Sequence, residues 1–144
     1  KSGNDAKIRV RVEALNVGHA MKITAIRVYK TDLPYVGGVY GWGRGNRIAV
    51  AKSTVVTIDT DAGISGCGEF TPCGENYMAA HSAGAVAGIA RIAPALLGED
   101  PRQLGRIEQV MDHALQGHGY AKAPLDVVVC ASRPRVPCGR GLRA

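Results

Sequence analysis

At 144 residues, 46% of them hydrophobic, the chain can bury one domain-sized core; it is too short for a (β/α)₈ barrel, which needs at least ~200 residues. Its net charge of +6 sits at the ends: residues 1–20 carry +2 and residues 127–144 carry +4, while 21–126 balances ten basic against ten acidic side chains. That distribution disfavours a patterned nucleic-acid face, and the least charged stretch, 76–90, is too short to span a bilayer.

The first convincing element is MKITAIRVYKT at 21–31, where period-two alternation puts Ile26 and Val28 on one apolar face and predicts a strand. Residues 32–47 hold five glycines, one proline and three aromatics, which predicts a long mobile binding flap rather than a hairpin turn. Alternation resumes at 48–60, Asp61-Ala62-Gly63 makes a tight turn, and Ile64 to Phe70 reads as a third strand. The period then lengthens. From Tyr77 to Leu97 the residues Val86, Ile89, Ala93 and Leu97 recur at helical spacing, with Pro94 set to bend or end the helix. Asp100-Pro101 reads as the N-cap and first position of a second helix, with Leu104, Ile107, Met111, Ala114 and Leu115 as its buried stripe and Gly117 as its stop. A third helix is expected from Ala123-Pro124. The order predicts an α+β fold: a three-stranded antiparallel meander, then a helical bundle packed on one sheet face.

The segment 21–126 resembles the N-terminal capping domain of the mandelate racemase and muconate lactonizing enzymes, a branch of the enolase superfamily. The resemblance rests on MKITAIRVYKTDLPY at 21–35, STVVTIDTDAGISGCGE at 53–69, TPCGENYMAAHSAGAVAGIARIAPALLGEDPRQL at 71–104 and MDHALQGHGYAKAPLD at 111–126. The G-x-x-G-x-G-E run from Gly63 to Glu69 is common across the superfamily. The P-x-G-x-x-Y stretch and the later GH-x-YAKA-x-L-D are narrower, and look most like hydroxyproline-betaine 2-epimerases and cis-3-hydroxy-L-proline dehydratases. One departure stands within the shared run: Cys67 occupies a position where relatives usually carry tryptophan.

The resemblance implies a cap that closes over a barrel mouth with two loops, here 32–47 and about 70–80. It implies an intact parent, expected to be a homo-oligomer, that abstracts the proton next to a carboxylate and holds the enediolate on Mg²⁺. The bases and metal ligands of that chemistry lie on barrel strands beyond this chain, so no catalytic and no metal-binding residue is assigned to it. Tyr77 matches a substrate-facing position of the second loop, with simple packing ahead of the first helix as the equal alternative. Tyr40 and Trp42 are candidates to cover a small cation, against a plain hydrophobic cover. Glu69 lacks the partner carboxylate that a general acid needs, and His81, His113 and His118 lack metal-ligand spacing.

The domain reading is an upstream extension at 1–20, the capping domain at 21–129, and a disordered tail at 130–144. The tail bears Arg133, Arg135, Arg140 and Arg143 with Pro134, Pro137 and no acid, a composition that cannot bury a core, and the abrupt loss of the resemblance after Asp126 into such sequence is what a frame shift in a GC-rich gene would give. The competing reading is a small basic module that binds RNA or DNA through that tail. Cys67, Cys73, Cys130 and Cys138 form no C-x-x-C and no zinc module, and read as free thiols of a reducing cytoplasm.

Overall fold

A computed structural model describes residues 20–74 and 76–131. The extension at 1–19 and the tail from 132 onward, including the expected disorder, lie outside the described residues.

Strand β1 (Ile23–Pro34) pairs antiparallel with β4 (Val50–Thr60), which pairs antiparallel with β5 (Ser65–Phe70), giving the sheet order β1-β4-β5. A bulge at the start of β1 sets Ile23 opposite Thr60 and Ala25 opposite Asp59. The extra residue changes the parity of the strand. Ile23 therefore reaches the same core as Ile26 and Val28, which simple alternation would forbid. The β4–β5 turn closes on Gly63, whose φ of 72° needs no Cβ, with its N–H donating to the Thr60 carbonyl.

Three helices cover the face of β4 that carries Thr54, Val56 and Ile58, all fully buried. They are α1 (Ser82–Leu96), α2 (Leu104–Ala114) and α3 (Gly119–Ala131). The core joins Ile23, Val56 and Ile58 to Ile89, Ile92 and Leu96 of α1, Ile107 and Met111 of α2, and Leu125 and Val129 of α3. Gly88 of α1 allows the closest helix contact, since a Cβ there would sit 2.6 Å from Cβ of Ala121. The outer sheet face is polar: Arg27 and Ser65 both bind the Asp59 carboxylate, holding it below the ordinary carboxylate range, with Ser65 the larger cause. Cys67 is exposed and stands opposite Thr57 on that face.

The structure keeps the α+β order and corrects several boundaries. The segment 32–47, expected as a flap rather than a hairpin turn, is largely strand and hairpin. β1 runs on to Pro34, and β2 (Tyr40–Trp42) pairs with β3 (Asn46–Ile48). Its turn works because Arg44 and Gly45 both take positive φ, 64° and 75°, the sign pattern of a twisted hairpin turn, while Asn46 Nδ2 donates to the Gly43 carbonyl. Glycine here supplies turn geometry. The buried stripe of α1 is Ala85, Gly88, Ile89, Ile92 and Leu96, and Leu97 is half exposed, so the expected stripe was rotated. Pro94 lies in the last turn of α1, which ends at Leu96. Asp100 does not cap α2, whose N-cap is Gln103. It holds the preceding turn by accepting from the Arg102 amide and guanidinium. α3 starts at Gly119, four residues ahead of expectation, after left-handed Gly117 and His118.

Candidate lid site

The candidate residues arrive on two separate segments. Tyr40 and Trp42 lie on β2, at the far tip of the β1–β4 ribbon, whereas Tyr77 lies in the irregular stretch between β5 and α1. The structure brings all three together in one row and adds Tyr35. Ring centroids are 5.6 Å apart for Tyr35 and Tyr40, stacked, and 6.2 Å for Tyr40 and Trp42, also stacked. Trp42 then meets Tyr77 edge-to-face at 5.8 Å, a geometry worth ~0.5–1.5 kcal/mol per pair beyond area burial. Burial first, then the neighbouring Cys73, push the Tyr35 hydroxyl above its ordinary range.

Two further contacts tie the segments. Gly74 takes φ of 97°, and the Trp42 ring lies where its Cβ would be: Cη2 is 2.7 Å from that position. Asn76 Nδ2 donates to Asn46 Oδ1 at 2.5 Å. The second segment is anchored at both ends. Ser53 and Thr71 hydroxyls each lie 2.6 Å from Glu69 Oε1, and Ser53 foremost, then Thr71, keeps that carboxyl below its ordinary range. Downstream, His81 caps α1, its Nδ1 accepting from the Gly84 amide at 3.1 Å. Glu69 and His81 thus hold the loop in place.

Two clefts flank Trp42. One, of about 590 Å³, is lined by Trp42, Arg44, Asn46, Asn76 and Tyr77. The other, of about 550 Å³, reaches from Trp42 to Arg47, Val50, Lys52, Pro72 and Ser82. Leu33, Val36, Val39, Tyr40, Val50, Tyr77 and Met78, all on these two segments or on the strand ends that carry them, are substantially exposed.

Tyr35, Arg47 and Lys52 were not singled out from sequence, and Gly74 entered only as the glycine of the P-x-G-x-x-Y stretch. Alternation along β4 could have found Lys52, which shares a face with Thr54, Val56 and Ile58 in an otherwise core-directed row. Arg47 was hidden by counting charge over the whole body, and Gly74 by the absence of any sequence mark of its Trp42 contact. Among the described residues no three of His, Cys, Asp or Glu come together where a metal ion could bind, so the described residues do not fit a Mg²⁺ site. None of the described helices is long and apolar enough to cross a membrane.

The profile of the family described as mandelate racemase / muconate lactonizing enzyme, N-terminal domain, matches residues 46–131, five residues past Asp126, where the resemblance had been expected to break. Cis-3-hydroxy-L-proline dehydratase of Roseibium aggregatum is 49% identical over 107 residues, covering 74% of this chain and 29% of that protein. A crystal structure of a mandelate racemase/muconate lactonizing enzyme from Roseovarius nubinhibens ISM superimposes with a TM-score of 0.74 at 66% identity, covering 76% of this chain and 30% of that one. A member of the enolase superfamily from the same organism, complexed with magnesium, gives a TM-score of 0.69 at 41% identity over 76% of this chain and 29% of its own. The chain spans less than a third of the length of these relatives. On sequence and fold together, the chain belongs to the mandelate racemase / muconate lactonizing enzyme N-terminal domain family of the enolase superfamily.

Proposed function

We propose that this chain is the substrate-capping part of a longer Mg²⁺-dependent enzyme that abstracts a proton next to a carboxylate. The observation that carries the reading is the aromatic row through Tyr40, Trp42 and Tyr77, which joins the two loop segments at one end of the sheet. A cap has to exclude water from a reacting carbanion and present a shaped apolar surface to a small substrate. Contiguous rings on two mutually tied segments suit both tasks. The substrate class we favour is a cyclic amino acid of the proline type or its betaine, because a dehydratase of cis-3-hydroxy-L-proline is 49% identical over the shared region. Aromatic faces also suit the ammonium end of such a zwitterion.

In this reading the Mg²⁺ ligands and the bases belong to the remainder of the parent enzyme, which would work as a homo-oligomer in the cytoplasm. The metal would stabilise the enediolate there. The cap residues bind and orient the substrate and keep water out, and none of them moves a proton. The test is α-proton exchange in D₂O, followed by NMR, with proline, cis-3-hydroxyproline and proline betaine as substrates. The isolated chain is expected to match the blank with and without Mg²⁺. Exchange above the blank would overturn the assignment, since it would require bases that the proposal places elsewhere.

A further inference from the structure

The helices leave part of the sheet's core face uncovered. On β4 they reach as far as Thr54, whose hydroxyl lies 3.0 Å from that of Ser82 at the start of α1. Lys52 and Val50 continue the same face outward, and with Trp42, Arg47 and Pro72 they line the 550 Å³ cleft. Four basic side chains of the body meet carboxylates, Arg27 with Asp59, Arg102 with Asp100, Arg106 with Glu99 and Lys122 with Asp112, whereas Lys22, Lys30, Arg44 and Arg91 make no ion pair among the described residues and do not line this cleft. Arg47 and Lys52 make no ion pair among the described residues. Asp32 stands opposite Lys52 in the strand register but forms no ion pair with it and is not among the residues that line the cleft.

Two unneutralised cations in one concavity repel each other and any lone cationic ligand. A carboxylate between them relieves that repulsion and takes charge-assisted hydrogen bonds from both. The indole of Trp42, Val50 and Pro72 offer an apolar surface for whatever the carboxylate is attached to. We propose that this cleft is an entry subsite for a small ring-bearing carboxylate, its anionic end between Arg47 and Lys52 and its ring against Trp42. The link from this subsite to turnover rests on the capping role. Binding itself does not, because every residue involved is in this chain.

The probe is cyclopentanecarboxylate, with the neutral cyclopentanemethanol as its isostere, titrated into the full chain. Trp42 is the only tryptophan, so its emission reports the cleft directly. Chemical shifts of β3 and β4 amides provide a second readout. The carboxylate is expected to bind in the millimolar range, about tenfold more tightly than the alcohol, and to weaken as salt is raised. Arg47→Gln and Lys52→Gln, both at exposed positions, should each weaken it several-fold without changing the thermal melt. Equal binding of acid and alcohol would overturn the subsite, as would no binding up to about 50 mM, far beyond the millimolar affinity expected, or binding indifferent to both substitutions. In a chimera joining this cap to a relative's barrel, the same two substitutions should raise KM and leave kcat. A chimera that turns over with unchanged KM in both variants removes the subsite and leaves the cap. Probe binding with an inactive chimera does the reverse.

Discussion

Replacing Gly74 by alanine tests the lid geometry through a single atom. The new methyl would sit 2.7 Å from Cη2 and 3.1 Å from Cζ2 of Trp42, closer than carbon atoms pack, and the residue would be held at φ of 97°. Backbone strain of that kind costs ~1–3 kcal/mol. The indole cannot swing away freely, because Tyr40 stacks on it and Tyr77 meets its edge. Displacing it forfeits one or both ring contacts, ~0.5–1.5 kcal/mol each. Gly98→Ala is the matched control: its φ is 85° and no atom lies within 4 Å of the added Cβ, so it carries strain alone. Urea titrations followed by far-ultraviolet circular dichroism and by Trp42 emission separate the two effects. Gly74→Ala should shift native emission and cost about 1 kcal/mol more than Gly98→Ala, the value of one ring contact. Identical native emission in the two variants, with equal midpoints, would show that Trp42 does not rest on Gly74.

Leu125→Ala removes a fully buried side chain of α3 from the central core and should cost ~2–5 kcal/mol by chemical denaturation. Asp100→Asn should destabilise the chain near neutral pH by up to ~1 kcal/mol, through loss of the charged hydrogen bonds from Arg102, whose side chain is 36% exposed and so screened by solvent. Those bonds hold the Asp100 carboxyl below its ordinary range. Its contribution is therefore full above the unfolded carboxyl pKa and disappears as pH falls through the lower folded value, so wild type and variant should converge in acid melts. Asp126 behaves oppositely. Burial, then Glu108, raises its carboxyl, so folding is penalised as pH rises through the window between its unfolded and folded values, and Asp126→Asn should melt higher than wild type at pH 7.

Much of this fold was legible because the hydrophobic periods change where the elements change. The alternation of Val56 and Ile58 with Val55 and Thr57 marked β4 and its buried face, and the spacing of Ile107 and Met111 marked α2. Boundaries were not, because they depend on contacts distant in sequence or on single dihedrals. The β1 bulge is defined only by its partners Asp59 and Thr60. The α1 stripe shifted because Gly88, which carries no hydrophobic signal, is the position that meets Ala121. Asp100-Pro101 looks like a cap in isolation, yet Arg102 takes the aspartate first. Of the candidate site, Tyr40, Trp42 and Tyr77 were named from sequence on two separate segments. Their assembly into one row was not legible, since it needs the twist of the 43–45 turn and the vacancy at Gly74.

The most direct measurement of the capping role joins residues 20–131 of this chain to the remaining part of cis-3-hydroxy-L-proline dehydratase from Roseibium aggregatum, in place of its own matching segment. Dehydration of cis-3-hydroxy-L-proline is then compared with that of the same enzyme lacking any cap. The chimera is expected to exceed the capless enzyme by about a hundredfold, the scale on which misplaced substrate-positioning groups lower turnover. Trp42→Ala should remove most of the gain. A chimera that is folded by circular dichroism and sedimentation, binds Mg²⁺, and yet turns over no faster than the capless enzyme would contradict the account.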